Sequence, residues 1–368
     1  MRTIEKTVWE RSERQKLPIF LTGAPKTGKT ELAIASGEAY CGGAVYHSCD
    51  DEQVKELAAE DRLAELIPDK RTLAVFDGAE RCDDVCFAAR TCADMGYRVA
   101  VIGREKPKSG FLVQTVYSMH FGEWLSLCGE EALAEKVKEC YQMNLRMPAR
   151  QHAKLSELYA IYEKTGGLPE VGARYLSTRS DAIVEAKRAE YLSACETLLT
   201  DGDRTQSERR NKVFASVPAQ LRKSNPKFMY NLLGKGSRAS VYEEVVEELA
   251  ARELVIRCNL YRDLKKEDKS FFKLYAYDNL FSACREGAIA AQLHAKGYQL
   301  GYLEGEEKMD FLCFKEGKVI PVAVSCSLYA VRNYAQRYRP EEIVRIRDAN
   351  FAREGMIKQI PPYAVFCI

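Results

Sequence analysis

The feature that most constrains this chain is a glycine-containing loop near its beginning. Residues 23–30 read Gly-Ala-Pro-Lys-Thr-Gly-Lys-Thr and match the pattern G-x-x-x-x-G-K-[ST] at every position. The apolar stretch 17–22 before the loop predicts a buried strand, and residues 31–35 after it predict a helix. Such a loop turns backbone N–H groups inward around phosphate, and the positive end of the helix dipole adds to that attraction. The sequence therefore predicts a phosphate-binding strand–loop–helix unit.

A second apolar strand predicts the partner of this loop. Residues 72–76 are followed by Asp77, as in strands whose terminal acid holds Mg²⁺. Lys29 would reach the β- and γ-phosphates, and Thr30 would ligate the ion together with Asp77. The predicted cofactors are ATP and Mg²⁺, and the predicted metal ligands are Thr30 and Asp77. The nucleotide-binding residues predicted from these patterns are Gly23, Ala24, Pro25, Lys26, Thr27, Gly28, Lys29, Thr30 and Asp77.

Two charged residues near this site are candidates for catalysis. Gly78 occupies the position where many such ATPases carry a glutamate that activates water. Glu80 could take over that role, or it could be a solvated loop acid. Arg104 follows a third apolar stretch, residues 97–102, where it could sense the γ-phosphate or could be an ordinary surface arginine. Helical patterns between the three strands predict an α/β fold with a parallel sheet.

The middle of the chain combines helical patterns with a local excess of positive charge. Residues 129–194 place apolar side chains at three- and four-residue spacing. Residues 204–227 contain seven Lys/Arg against one acid, whereas the whole chain sums to +2. A nucleic-acid footprint, if the chain has one, must therefore be local.

The region after this basic stretch predicts a winged helix. Helices over 226–233 and 240–254 precede two strands, 254–258 and 271–275. The second helix carries four glutamates, which would face DNA phosphates unfavourably. Contact with a protein partner is therefore favoured over DNA binding, which stays open as an alternative. These glutamates are Glu243, Glu244, Glu247 and Glu248.

The apolar runs and the cysteine content of the sequence indicate the cellular compartment and the state of the thiols. No apolar run reaches the roughly 18 residues that span a bilayer, and residues 1–16 lack the apolar core of a signal peptide. The expected setting is the cytoplasm, without membrane contact. The thirteen cysteines include no C-x-x-C pair and accompany only four histidines, so reduced thiols are expected rather than a zinc site.

At this level of detail the whole chain resembles the bacterial and archaeal AAA-type ATPases of the STAND-like branch that carry a C-terminal PD-(D/E)xK nuclease-like domain. The resemblance implies an ATPase core over 1–128, a helical lid over 129–203, a winged helix over 204–280 and the nuclease-like domain over 281–368. It also implies that Gly167 and Pro169 contact nucleotide from the lid. The matching stretches are 23–30, 46–51, 76–77, 166–170, 272–278, 309–311 and 360–366.

The chain departs from the family where hydrolysis would take place. Gly78 replaces the family's glutamate, and Ile102-Gly103-Arg104 replaces its Thr-Gly-Ser at the third strand end. In the C-terminal domain the helix glutamate is replaced by Ala291 and the E-x-K pair by Ala323 and Ser325, leaving Asp310. One carboxylate is a poor Mg²⁺ site for phosphodiester cleavage.

These departures predict a particular function. The sequence predicts a P-loop protein that binds ATP as a nucleotide-dependent switch with weak or absent hydrolysis. Two alternatives stay open: an active ATPase that uses Glu80 or Arg104, and a DNA-binding protein that uses the winged helix and residues 204–227. The predicted partners are ATP or ADP, with a protein or DNA contacting the winged helix. Nuclease activity is not expected.

Overall fold

A computed structural model describes residues 2, 4, 6–200, 203–223, 226–282 and 284–368. The chain forms two compact units, residues 1–117 and 118–368. Within the described ranges no helix combines the length and the apolar character needed to cross a membrane. All thirteen cysteines are free thiols.

The first unit is built around a five-stranded parallel sheet in the order β2-β3-β4-β1-β5. The predicted α/β class and parallel sheet are confirmed. The sequence patterns located β1, β3 and β4, whereas the edge strands β2 and β5 were not predicted as strands. The elements are α1 (Lys6–Gln15), β1 (Ile19–Thr22), α2 (Lys29–Tyr40), β2 (Ala44–Ser48), α3 (Glu52–Ala59), β3 (Leu73–Asp77), α4 (Val85–Asp94), β4 (Arg98–Ile102) and β5 (Leu112–Thr115), with 3₁₀ turns at Leu63–Leu66 and Ala79–Arg81.

Both faces of this sheet are buried, which explains why its central strands are apolar without alternation. Phe20 of β1 packs with Phe76 and Val85 on one face. Ile19 and Leu21 of the same strand pack on the opposite face, against residues of α1 and α2. Successive side chains of a strand point to opposite faces, so a strand covered on both sides must be apolar at every position.

The second unit contains ten helices and an eight-stranded sheet among its described residues. The strand order is β12-β13-β11-β10-β9-β8-β6-β7. The helices are α5 (Phe121–Leu127), α6 (Glu131–Met143), α7 (Ala149–Thr165), α8 (Pro169–Thr178), α9 (Asp181–Leu199), α10 (Arg204–Leu221), α11 (Ala239–Ala251), α12 (Asn279–Ser282), α13 (Arg285–Ala295) and α14 (Leu328–Tyr338). The strands are β6 (Val255–Asp263), β7 (Lys266–Ala276), β8 (Gln299–Leu303), β9 (Met309–Lys315), β10 (Lys318–Ala323), β11 (Ile343–Ile346), β12 (Ala352–Glu354) and β13 (Ile357–Ile360), and 3₁₀ turns lie at Tyr230–Leu233 and Pro362–Cys367.

The structure differs from the expected separate winged helix. The strands of the predicted wing, β6 and β7, form the expected antiparallel hairpin, but β6 also pairs in parallel with β8. A domain division at 280/281 would therefore cut through one sheet. The helix predicted at 226–233 is reduced to a 3₁₀ turn, because the N–H of Phe228 donates to the carbonyl of Phe272 in β7 at 2.8 Å. The local pattern described the hairpin but carried no signal for its pairing with later strands.

The Gly-Gly turn between α7 and α8 is held by a buried carboxylate. Asp278 is 1% exposed; its Oδ2 accepts from the Gly167 N–H at 2.9 Å and its Oδ1 from the Leu280 N–H at 2.8 Å. Burial raises the pKa of Asp278, and these N–H donors oppose that rise. The carboxylate thus connects the turn to the segment that follows β7.

Replacing Asp278 with alanine should destabilise the second unit by about 2 kcal/mol or more, because two buried N–H groups lose their acceptor. The chain has only two tryptophans, Trp9 in the first unit and Trp124 in the second. Guanidinium unfolding followed by Trp124 fluorescence in a Trp9→Phe background measures the effect. Exposed Glu341→Ala is the control, expected within about 0.5 kcal/mol of the parent. An equally small effect of Asp278→Ala would refute this role.

Candidate functional site

The predicted phosphate loop lies at the carboxyl edge of the parallel sheet, between β1 and α2. Gly23 has a φ of +125°, and a Cβ at this position would clash with the carbonyl oxygen of Val116. Gly28 forms the N-cap of α2. The buried hydroxyl of Thr27 donates to the Ala24 carbonyl at 3.0 Å and ties the loop to itself. The loop thus forms a concave backbone surface at the N-terminus of the twelve-residue helix α2, where N–H groups can bind an anion.

The ammonium group of Lys29 is folded back onto this loop. Its Nζ donates to the carbonyl oxygens of Gly23 at 3.0 Å and Ala24 at 2.8 Å. Burial lowers the pKa of Lys29 to about 8, and the charge of Asp77 opposes that shift. A partly desolvated cation that donates to neutral carbonyl oxygens can exchange them for the oxygens of an anion.

The two predicted Mg²⁺ ligands are in direct contact. Thr30 at the start of α2 donates from Oγ1 to Oδ2 of Asp77 at the end of β3, at 2.6 Å. Both side chains present oxygen, the ligand atom that Mg²⁺ prefers. Two protein oxygens leave the other octahedral positions for phosphate oxygens and water, as Mg²⁺ sites normally require. This donor set fits the ion that the sequence predicts.

The two catalytic candidates pair with each other. Arg104 Nε lies 2.9 Å from Glu80 Oε1, and their side chains are 34% and 25% exposed. The charges of both act on the buried ammonium of Lys29. Glu80 is therefore a half-buried partner of Arg104 beside the loop, and the alternative of a free solvated acid does not fit the structure.

Backbone geometry explains why glycine follows Asp77. Gly78 has a φ of +91°, in the left-handed region that side chains disfavour. Its N–H donates to the carbonyl of Ile102 at 2.9 Å, which fixes this conformation beside β4. A glutamate at this position would therefore strain the chain.

The lid residues predicted to contact nucleotide lie in the second unit. The N–H of Gly167 donates to Asp278, and its carbonyl accepts from the Met119 N–H at 2.8 Å. Pro169 is the first residue of α8. These contacts give Gly167 a packing role, and nucleotide contact by Gly167 and Pro169 stays a prediction.

The basic stretch 204–227 is partly neutralised by acids. Arg204 pairs with Glu208 at 3.1 Å, buried Arg210 with Glu248 at 2.8 Å, and Lys227 with Glu304 at 2.7 Å. Lys212, Arg222 and Lys223 are exposed, and residues 224 and 225 lie outside the described part. The positive charge available to a nucleic acid is therefore smaller than the number of basic residues in this stretch indicates.

Asp310 anchors a turn. Its Oδ2 accepts from the N–H groups of Val324 and Ser325, both at 2.7 Å, and its Oδ1 from the Ser325 hydroxyl at 2.8 Å. With both oxygens engaged, Asp310 fits a structural role better than a metal-binding one. No group of three or more His, Cys, Asp or Glu suited to a metal occurs within the described residues.

One charged pair near Asp310 escaped the sequence analysis. The resemblance places the lost helix carboxylate at Ala291, yet α13 contributes Glu286 at its start. Oε1 of Glu286 lies 2.6 Å from Nζ of Lys273, which is 5% exposed. Both side chains line a cavity of about 470 Å³ together with Tyr302 and Asp310. A lysine inside the buried second half of β7 was the signal that could have revealed it.

Comparison with known proteins finds fold-level similarities alone. No protein-family model matches the chain, and no curated protein matches it. Among solved structures, PCH-2 of C. elegans shares 13% identity over 52% of this chain and 66% of its own, which is less than two thirds of its length, with a TM-score of 0.29. AMPPCP-bound DnaA from Aquifex aeolicus shares 15% identity over 67% of this chain and 87% of its own, with a TM-score of 0.27. A Thermotoga maritima RuvB variant shares 15% identity over 68% of this chain and 86% of its own, with a TM-score of 0.28. Scores of this size do not establish a family, and the chemistry of the site follows from its own geometry.

Substituting Gly78 should reveal the backbone strain. Gly78→Glu should destabilise the first unit by about 1–2 kcal/mol, because a side chain in the left-handed region crowds the following carbonyl. Gly78→Asn should cost less, since asparagine tolerates this region. Trp9 fluorescence during denaturation, in a Trp124→Phe background, reports on this unit. Equal stability of Gly78→Glu and its parent would contradict the argument.

Proposed function

We propose that this chain binds Mg²⁺–ATP through residues 23–30 and Asp77 and acts as a nucleotide-dependent switch with weak or absent hydrolysis. The observation that carries the proposal is the contact between Thr30 and Asp77 beside the folded-back Lys29. Thr30 and Asp77 supply two oxygen ligands for Mg²⁺, and Lys29 supplies a positive charge for phosphate. All three lie near the N-terminus of α2. Bound Mg²⁺ would neutralise phosphate charge, and the loop N–H groups would orient the phosphates.

Weak hydrolysis is proposed because a free general base is not evident at the expected position. Gly78 has no side chain, and the nearby carboxylate of Glu80 is engaged by Arg104. The guanidinium of Arg104 occupies the Oε1 atom that would otherwise be available to orient a water molecule. Losing general-base assistance costs about 10²–10⁴ in rate. ATP would then persist in the site long enough to serve as a signal.

An active ATPase is the second candidate, and one observation favours it. Glu80 and Arg104 lie close enough to act electrostatically on Lys29, so nucleotide could separate the pair. Arg104 would then contact the γ-phosphate and leave Glu80 to orient water. This candidate differs from the switch in one respect, the dependence of turnover on Glu80.

The remaining parts of the proposal concern the second unit. We infer that this unit carries the partner surface of a cytoplasmic AAA/STAND-like protein and that Gly167 and Pro169 respond to nucleotide. A nuclease-like ancestry without cleavage activity is compatible with the engaged carboxylate of Asp310. Binding of a protein is preferred to binding of DNA, because Arg204, Arg210 and Lys227 already pair with acids.

Replacing Lys29 with methionine should weaken ATP binding about tenfold or more, since the cation that pairs with phosphate oxygens is lost. Calorimetry with ATP and with ADP, each in the presence of Mg²⁺, measures the affinities. Lys70→Met is a matched control, because Lys70 lies before β3, at the opposite edge of the sheet, and donates to Met95 O. Equal ATP affinity of Lys29→Met and Lys70→Met would reject the site.

Phosphate release separates the switch from the active ATPase. The switch predicts turnover well below about 1 s⁻¹, the low end for typical enzymes, and little further loss on Glu80→Gln. The control is Glu60→Gln, an exposed acid on another loop. Turnover near 1 s⁻¹ that falls in Glu80→Gln while ATP affinity is kept would favour the second candidate.

A further inference from the structure

Two arginines lie side by side at the carboxyl end of β11. Arg345 is in the strand and Arg347 is the residue after its end. Residues two apart in an extended strand share a face, so both lie on the face of Ile343. Ile343 packs in one apolar cluster with Val331 and Tyr334 of α14. The two guanidinium groups therefore lie on the side of the sheet that α14 covers.

The pair is not satisfied by the protein around it. The Nε atoms of Arg345 and Arg347 are enclosed and have no hydrogen-bond partner within the described ranges. Arg347 Nη2 donates to the Cys326 carbonyl at 3.1 Å, and neither arginine forms an ion pair with a described residue. Burial lowers the pKa of Arg345, and the charge of Arg347 lowers it further. The two guanidinium groups repel each other, are partly desolvated and have unused N–H donors. A bound anion would offset all three costs.

Acids in this part of the sheet interact with other groups. The charge of Glu354 acts on Arg345, but its Oε1 lies 3.5 Å from Arg332. Asp310 receives three N–H groups of the turn at residues 324–326. Neither carboxylate makes a hydrogen bond or ion pair with Arg345 or Arg347 within the described residues.

Backbone N–H groups near the two arginines add further hydrogen-bond donors. β10, β11 and β13 are parallel neighbours, so their carboxyl ends reach one edge of the sheet. The eleven-residue helix α14 begins at this edge after Ser327, whose Oγ accepts from the Ala330 N–H at 3.1 Å. The first turn of a helix leaves further N–H groups without intrahelical partners. Guanidinium groups and a helix N-terminus thus meet at the same edge.

We propose that Arg345 and Arg347, with the N-terminus of α14, bind a phosphate group carrying two negative charges. Guanidinium groups recognise oxyanions through parallel N–H donors, and a dianion matches the charge of the pair. A phosphate could be free or could be borne by an organic molecule as a monoester, and both sources present the same tetrahedral oxygens. The site belongs to the second unit and shares no residue with the loop at 23–30.

Calorimetry with inorganic phosphate at low ionic strength tests the proposal, in a Lys29→Met background that weakens the phosphate loop. Arg345→Gln and Arg347→Gln should each weaken phosphate binding about tenfold or more, because charge-assisted hydrogen bonds are lost. The phosphate affinity of Arg345→Lys should lie between that of the glutamine variants and that of the parent. Lysine keeps the positive charge but lacks the two parallel N–H donors of arginine. Arg337→Gln, at the far end of α14, is the control and should leave binding unchanged. Equal affinity in all variants, or no binding in the parent, would overturn the proposal.

A stability measurement distinguishes binding from a structural role. Without phosphate, Arg345→Gln should keep or raise the denaturation midpoint, because a repelling charge is removed. Phosphate should raise the midpoint of the parent and leave that of Arg345→Gln unchanged. A lower midpoint for Arg345→Gln, with the phosphate-induced rise retained, would overturn the proposal. O-phosphoserine in place of phosphate distinguishes the sources: tighter binding supports a monoester ligand, and weaker binding supports free phosphate.

Discussion

The hydrogen bond between Thr30 and Asp77 is the contact on which the candidate nucleotide site depends. It joins the first turn of α2 to the end of β3, two elements separated by more than thirty residues of chain. The contact is achieved because parallel strands bring their carboxyl ends to one edge. β1 delivers the loop, β3 delivers Asp77 and β4 delivers Arg104 to that edge. Burial of the apolar strands on both faces maintains this arrangement, so the polar site is held in place by the core.

The charges at this edge support the proposal of nucleotide binding with weak hydrolysis. Half-buried Lys29 donates to two carbonyl oxygens, and an added anion would offset its desolvation. Glu80 and Arg104 instead satisfy each other. Position 78 supplies no general base. Its backbone is in the left-handed region, which disfavours any residue with a side chain. These features are the basis for proposing that the site binds a charged ligand and hydrolyses it slowly.

The parts of the structure that local patterns encode were predictable. The loop at 23–30, the apolar strands and the helical periodicity each depend on neighbouring residues, and they located the first unit's site. The edge strand β2 escaped prediction because its residues are only half-buried and lack an apolar run. The eight-stranded sheet escaped because β6 pairs with β8, about forty residues away, for which no local signal exists. Ion pairs such as Glu80–Arg104 and Lys273–Glu286 depend on tertiary proximity in the same way.

The most direct test of the central claim is the identity of the nucleotide that stays bound. The protein is incubated with ATP and Mg²⁺, separated from free nucleotide by rapid gel filtration, and the bound nucleotide is extracted and identified. We expect intact ATP to be recovered in proportion to the protein, and Lys29→Met to retain little nucleotide. Recovery of ADP alone would contradict weak hydrolysis, and recovery of no nucleotide would contradict the binding site itself.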